Sequence, residues 1–267
     1  MNEQFTVDGF VVEEQLLDLR LLGSLHDAFD DLFAGHFPTG VKPDEVNWQH
    51  ATGDPRRARQ ICNGWKADDR IAAVVLDPGP ATRIASLMGW PGARLIQDNI
   101  LWKPPGATQL GFHRDNDYSH WFSPPEMATC WIALDSTTEA GGTLEFARGS
   151  HLWPTPASLN TPFHAPDDYT GDVKRSCPAN AEVDIVSVVV PAGGGSFHHG
   201  DTWHGSAANC AIVQRRALAI HYARNDAKFD LDRLEHGMGK IYGRYCGGNS
   251  AMPDAHFPIL HEHVSQT

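Results

Sequence analysis

Two His-x-Asp triplets carry residue types that do metal chemistry: His113-Arg114-Asp115, inside the stretch GFHRDNDYSHW, and His199-Gly200-Asp201. A non-haem iron(II) site takes two neutral imidazoles and one carboxylate on one face of the metal and leaves the opposite face open. A histidine and an aspartate two apart on a strand offer two of those groups to one side, because strand side chains alternate. The triplet alone proves little, since random order in a chain with 15 histidines yields about one of them.

The remainder of the pattern separates the two. Beyond His113-x-Asp115, the segment GDTWHGS supplies His204 on a distant stretch, and Arg215 lies eleven residues after it. Arginine is the cation suited to hold a dicarboxylate such as 2-oxoglutarate, because its planar fork matches a carboxylate. For His199-x-Asp201, His204 is too near to sit on a separate strand. The positions eleven beyond His221, His236 and His256 are Asp232, Gly247 and Thr267, none of them cationic. His113, Asp115, His204 and Arg215 are therefore the candidates. Asp201 reads as a turn residue after Gly200, and His120, His151, His198, His199 and His221 read as structural. Arg215 and Arg216 are adjacent, so alternation sends one inward and one outward. Arg215 shares its parity with the small Ala217 and Ala219, which leave room for a ligand, and Arg216 with Leu218, Ile220 and Tyr222.

These groups need a scaffold that brings distant strands together. From Arg94 onward the sequence shows short β-like runs separated by turns: Leu95–Trp102, Thr129–Asp135, Thr143–Phe146, Val183–Val190 and Ile212–Tyr222. Before them, Phe5–Val12 reads as a short strand. Leu17, Leu21, Leu25, Phe29 and Leu32 form the stripe of an amphipathic helix. Asp77-Pro78-Gly79-Pro80 reads as the start of a second helix carrying Ile84, Leu87 and Met88. Residues 35–64 show no clear period. The expected fold is mainly β with flanking helices around a double-stranded β-helix, a cupin-like jelly roll. One domain over 1–267 is expected: a helical scaffold at 1–93, a core at 94–222 with a lid-like insertion at 152–182, and a C-terminal segment at 223–267.

Composition narrows the partners. A formal net charge of −12 with no Lys/Arg cluster speaks against nucleic acid, and no apolar run approaches the length of a membrane span. The five cysteines are scattered without a Cys-x-x-Cys pair, so neither a disulfide framework nor a zinc knuckle is suggested, and a reducing cytoplasm is the expected compartment. Cys130 reads as an inert buried thiol.

The motifs QDNILWKPPG, FHRD, CWIALD, GGTLEFARGSH and HGSAANCAIVQRRALAIHY together resemble the phytanoyl-CoA dioxygenase family of Fe(II)/2-oxoglutarate oxygenases. DGFVVEEQLL near the start and YGRYCGGNSAMPDAHFPIL near the end extend the resemblance over nearly the whole chain. It implies Fe(II) held by His113, Asp115 and His204, with 2-oxoglutarate and O₂ as co-substrates. It also implies Arg215 and Ser206 on the distal carboxylate of 2-oxoglutarate, with Lys103, Trp131 and Gln97 around that co-substrate. Arg114 stands where many members have glutamine, which puts a long cation near the rim. With Asn116, Asp117, Tyr118 and Trp121 it forms the expected substrate-contact group.

The resemblance makes the expected activity C–H oxidation of a small molecule, either hydroxylation or cyclisation, desaturation or epimerisation. Related halogenases have a small residue in place of the carboxylate, so Asp115 argues against halogenation. A secondary-metabolite or antibiotic intermediate is the expected substrate. An acyl-CoA or lipid is the alternative within the family, disfavoured by the acidic composition. Outside it stand a cupin-like metal hydrolase, which gives Arg215 no role, and a non-catalytic binding domain, which has no need of all four residues.

Overall fold

The computed structural model describes residues 2–50, 52–155 and 162–262. The chain opens with helix α1 (Glu3–Asp8) and turns through a left-handed Gly9 into strand β1 (Phe10–Glu13). The strand expected over Phe5–Val12 is thus extended only in its second half. The Asn2 side chain accepts the Phe5 amide and starts a helix instead. Helix α2 (Leu22–Phe33) follows and buries Leu25, Phe29 and Leu32, the later part of the predicted stripe. Then come strands β2 (Glu45–Val46) and β3 (Arg59–Cys62) and helices α3 (Asp69–Val75) and α4 (Pro78–Met88). Asp77 caps α4 by accepting the Gly79 amide, so the start signal operates as read.

Extended chain dominates from β4 (Gly92–Lys103) through β5 (Leu110–His113), β6 (Phe122–Ser123), β7 (Ala128–Ala133) and β8 (Glu145–Ala147). Helix α5 (Gly171–Ser176) interrupts before β9 (Ile185–Ser187), β10 (Gly195–His199), β11 (His204–Ser206) and β12 (Arg215–Arg224). Strand β13 (Lys228–Phe229), helix α6 (Gly239–Tyr242) and strand β14 (Ile259–Glu262) complete the described chain.

The strands form a major sheet, β1-β10-β7-β12-β4-β3-β2 with β14 also on β4, and a minor sheet, β5-β11-β8-β9. Every pairing is antiparallel. Two such sheets around one interior make the anticipated jelly roll. The boundary drawn at residue 94 does not separate scaffold from core, because β1, β2 and β3 all join the major sheet. Nor do the five predicted strands include β5, β10 and β11, which carry or flank two of the candidate ligands. Each is too short to display a period.

Central strand β12 shows how the site is aimed. Leu218, Ile220 and Tyr222 pack with Leu25, Phe29, Ile71 and Ile84 of the outer helices, while Ala217 and Ala219 pack with Trp131 and Phe146 between the sheets. Burying a leucine or isoleucine side chain is worth about 1.5–3 kcal/mol, and a one-residue slip would move both bulky residues into the interior. The helix-facing side thereby fixes the register that turns Arg215 inward.

A satellite core of Trp121, Phe122, Phe229, Tyr242 and Phe257 seats the C-terminal segment beside the open end of the roll. In the expected insertion, Val173 of α5 packs against Phe112 and Trp203, and residues 156–161 lie outside the described residues. No helix among the described residues is long and apolar enough to cross a membrane.

Candidate metal centre and its cavities

His113 ends β5 and stands directly opposite the first residue of β11, His204. The two ring centroids are 4.1 Å apart. Asp115 lies not on the strand, as anticipated, but at the head of a 3₁₀ turn over Asp115–Tyr118. Arg114 between them is extended (φ −122°, ψ 136°), so the alternation survives one residue past the strand end. Asp115 Oδ1 comes within 3.9 Å of His113 Nε2 and 3.5 Å of His204 Nε2. One ligand atom from each of the three residues falls within 4.8 Å of the others.

The second nitrogen of each ring decides which one is presented. His113 Nδ1 meets the Gly111 carbonyl at 3.0 Å, and His204 Nδ1 meets the Thr202 carbonyl at 2.9 Å. A carbonyl only accepts, so both hydrogens sit on Nδ1 and both Nε2 lone pairs are bare. Burial, with His204 next to it, pushes His113 down to about 3. Burial likewise pushes His204 down to about 4. Burial would raise the Asp115 carboxyl, but the surrounding His204, His221 and His198 side chains hold it well below the usual range. Near neutral pH the cluster presents two neutral imidazoles and a carboxylate, the donor set that a divalent metal requires.

Two connected cavities meet at this cluster. The inner one is lined by Trp131, Leu144, Ser206, Arg215 and Ala219, with the three candidate ligands at its mouth. Arg215 is 5% exposed. Its Nη2 donates to the Gly142 carbonyl at 2.9 Å, its Nε has no partner, and its guanidinium stands 5.8 Å from the Trp131 ring. Burial lowers it to about 10, so it stays charged, and it makes no ion pair among the described residues. A buried cation without a counter-charge is costly. The cavity therefore fits an anion.

Arg216 points the other way and is held by Asp135 at 2.8 and 3.0 Å. Lys103 does not reach the inner cavity. Its ammonium is spent on Ser206 Oγ at 2.7 Å and on the Ser206 and Ala207 carbonyls, which braces the end of β11. Because Ser206 Oγ accepts from Lys103, its own hydrogen is free to donate into the cavity.

The outer cavity, about 300 Å³, is lined on one side by Asn47, Gln60, Gln97 and Asn99 and on the other by Tyr118, Trp121, Phe163 and Met238. Gln97, expected beside the co-substrate, lies here instead, because β4 carries it toward the open end. Of the expected substrate-contact group, Tyr118 and Trp121 line this cavity. Arg114 turns away from it, buried between Asp117 and Asp201 and over the Trp203 ring. Asp117 is taken up by that pair, and Asn116 Oδ1 accepts the Met127 amide at 2.7 Å.

Sequence reading missed Asn47, Gln60, Asn99, Thr129, His198 and His221. His198 and His221, assigned structural roles, approach Asp115 Oδ2 at 3.3 and 3.4 Å. The parity that turned Arg215 inward also marks His221. Nothing local marks Asn47 or Gln60, which sit in a segment without a period.

Two facing antiparallel sheets with two histidines and an aspartate converging between them define a cupin-like jelly roll around a cluster that could hold a metal ion. The chain matches the family model described as phytanoyl-CoA dioxygenase over residues 5–217 and belongs to that family. Among curated relatives it is 27% identical over 131 residues to the multifunctional dioxygenase ausE of Penicillium brasilianum, covering 46% of this chain and 39% of that one. It is 28% identical over 164 residues to a probable phytanoyl-CoA dioxygenase of Caenorhabditis elegans, covering 56% and 49%. The chain thus spans about half the length, or less, of these curated relatives. In structure it superposes on the epimerase SnoN, crystallised with Fe³⁺, alpha-ketoglutarate and nogalamycin RO, with a TM-score of 0.72 and 20% identity over 96% of each chain.

Proposed function

We propose that the chain is an Fe(II)- and 2-oxoglutarate-dependent oxygenase that oxidises a C–H bond of an uncharged small molecule. The observation that carries this reading is the shared cavity. Three converging ligand atoms and a buried, unpaired arginine open into one space, and a metal with a dicarboxylate satisfies both at once. A hydrolytic metal site leaves Arg215 without a purpose. When bound, the iron and the oxo acid supply the oxidising power, as 2-oxoglutarate and O₂ are consumed to succinate and CO₂.

This chain's residues do the rest. His113 and His204 present bare Nε2 atoms, and Asp115 presents Oδ1 while Thr129 holds its other oxygen at 2.6 Å. Arg215 and the free hydroxyl hydrogen of Ser206 receive the distal carboxylate, and Trp131, Leu144 and Ala219 keep water from it. The outer cavity orients the target. No lysine or arginine lines it among the described residues, and Glu45 and Asp115 lie on its wall, so an anion is repelled. Its amides and aromatic rings suit a hydroxylated, ring-containing molecule better than an acyl-CoA. The similarity to SnoN, an epimerase from nogalamycin biosynthesis, supports a secondary-metabolite or antibiotic intermediate as that molecule, acted on inside the cell.

Anaerobic addition of Fe(II) and 2-oxoglutarate to the purified chain should produce a visible absorbance band. Admission of air should then release succinate in an iron-dependent manner. Absence of both would remove the oxygenase reading.

A further inference from the structure

A file of hydrogen bonds runs from the outer cavity to the candidate metal carboxylate. Tyr242 Oη lies 2.5 Å from Gln97 Oε1, and Gln97 Nε2 lies 3.4 Å from Asn99 Oδ1. Asn99 Nδ2 lies 2.9 Å from His221 Nε2, and His221 Nδ1 lies 2.8 Å from Thr129 Oγ1. Thr129 Oγ1 closes the file on Asp115 Oδ2 at 2.6 Å. The sheet dictates this alignment. His221 on β12 is paired with Gln97 on β4 and with Thr129 on β7, and Gln97 and Asn99 share one face of β4.

Chemistry sets the direction from the Asp115 end. An ionised carboxylate only accepts, so the Thr129 hydrogen faces Asp115 and the Thr129 oxygen must accept from His221 Nδ1. With that hydrogen on Nδ1, His221 Nε2 accepts from the Asn99 amide nitrogen. The Asn99 oxygen then faces the Gln97 amide nitrogen, and the Gln97 oxygen faces the tyrosine hydroxyl. Every link donates toward Asp115. Thr129 is the nearest donor to Asp115 Oδ2, with His198 Nε2 and His221 Nδ1 farther off at 3.3 and 3.4 Å, and reversing one bond within the file would set two donors against each other.

We infer that Thr129, His221 and Asn99 are positioning residues for the metal carboxylate, committing Oδ2 to the protein so that only Oδ1 is offered to the metal. Gln97 and Tyr242, at the far end, form part of the cavity wall and tie the substrate's seat to the same carboxylate. The inference rests on the proposal that His113, Asp115 and His204 hold a metal.

The test is Co(II) affinity measured by calorimetry without 2-oxoglutarate or substrate, together with the visible spectrum of the bound ion. Outer partners of this kind typically contribute 10–100-fold to metal affinity. Thr129→Val, which keeps the shape and removes the hydroxyl, should weaken binding at least 10-fold and shift the Co(II) spectrum, while Thr129→Ser should restore both. His221→Leu should cost a similar factor, and the double variant Thr129→Val/His221→Leu should be no worse than the poorer single one, because both cut one file. Co(II) binding by Thr129→Val within twofold of the parent, or losses that multiply in the double variant, would overturn the inference. Should His221→Leu fail to fold, the Thr129→Val and Thr129→Ser pair decides it. Equal Co(II) binding by the parent and by Asp115→Ala would instead overturn the metal reading, and the positioning role with it.

Discussion

At the scale of single residues, neighbouring arginines on β12 separate function from stability. Arg215→Ala removes from the inner cavity the one arginine or lysine that lines it among the described residues. We expect a loss of 2-oxoglutarate affinity of about 100-fold, the scale of removing a charge-assisted bidentate contact from a buried site, with metal affinity unchanged. Arg216→Ala takes from Asp135 its guanidinium partner and leaves it the backbone amide of residue 216 and His26 at 3.5 Å. It should cost on the order of 3 kcal/mol in denaturant unfolding and leave 2-oxoglutarate binding nearly intact. The reverse outcome in binding titrations would show that the strand parity has been misread. The convergence of His113, Asp115 and His204 and the inward turn of Arg215 could be expected from the sequence, because the four together, unlike a His-x-Asp triplet alone, are an uncommon combination. Lys103 and Gln97 were misplaced because a spacing cannot tell where a long side chain ends. Lys103 finds two carbonyls and a hydroxyl before it reaches the cavity, and Gln97, six residues before it on β4, lines the outer cavity instead. Arg114 went the same way, captured by Asp117 and Asp201.

At the scale of elements, the metal cluster depends on how closely β11 approaches β5. Gly205 makes that approach possible, since a Cβ there would stand 2.6 Å from the Phe112 ring and 3.0 Å from its backbone nitrogen. Gly205→Val should force β11 outward, separate the two imidazoles, and weaken Co(II) binding by more than 10-fold along with a drop in Tm. Unchanged metal affinity in a folded Gly205→Val chain would mean that the two strands do not set the distance between the ligands. The long elements, α2, α4, β4, β7 and β12, could be read from their periods. Among the short ones, β8 and β9 fall in apolar runs that were read as strands, whereas β5, β11 and β10, of three to five residues each, and β3, in a polar run, could not be read. Their strand character comes from the pairing of β11 with β5 and β8 and of β3 with β4, a tertiary effect that no local window contains.

For the molecule as a whole, the buried imidazoles make stability pH-dependent. His113 sits at about 3 and His204 at about 4 in the folded chain, both lowered chiefly by burial from the ordinary imidazole value of 6.5. His198 is lowered for the same reason. Between those values and 6.5 the unfolded chain binds protons that the folded one refuses, so stability rises with pH across the window and falls as the pH drops through it. Asp115, depressed in the fold, acts in the same direction at still lower pH. The metal-free protein should lose Tm steadily from pH 6.5 toward 4 in calorimetry, and saturating Co(II) should delay that loss because bound metal excludes the proton. A flat Tm over this range would show that the imidazoles are not neutral in the fold. At this scale the net charge and the lack of a Lys/Arg cluster in the sequence speak against nucleic acid. The cavity walls could not be read there, since they draw on β3, β4, the turn after β5 and α6.

The pairing of His113 with His204 has a kinetic side. Roughly ninety residues of chain must close before these two imidazoles face each other, and the entropic cost of such a closure precedes any reward from the contact. Of the three candidate ligands only His113 and Asp115 are close in sequence. High-affinity metal capture during refolding therefore reports the moment β5 and β11 pair within the minor sheet, and a Co(II) spectrum could time that event.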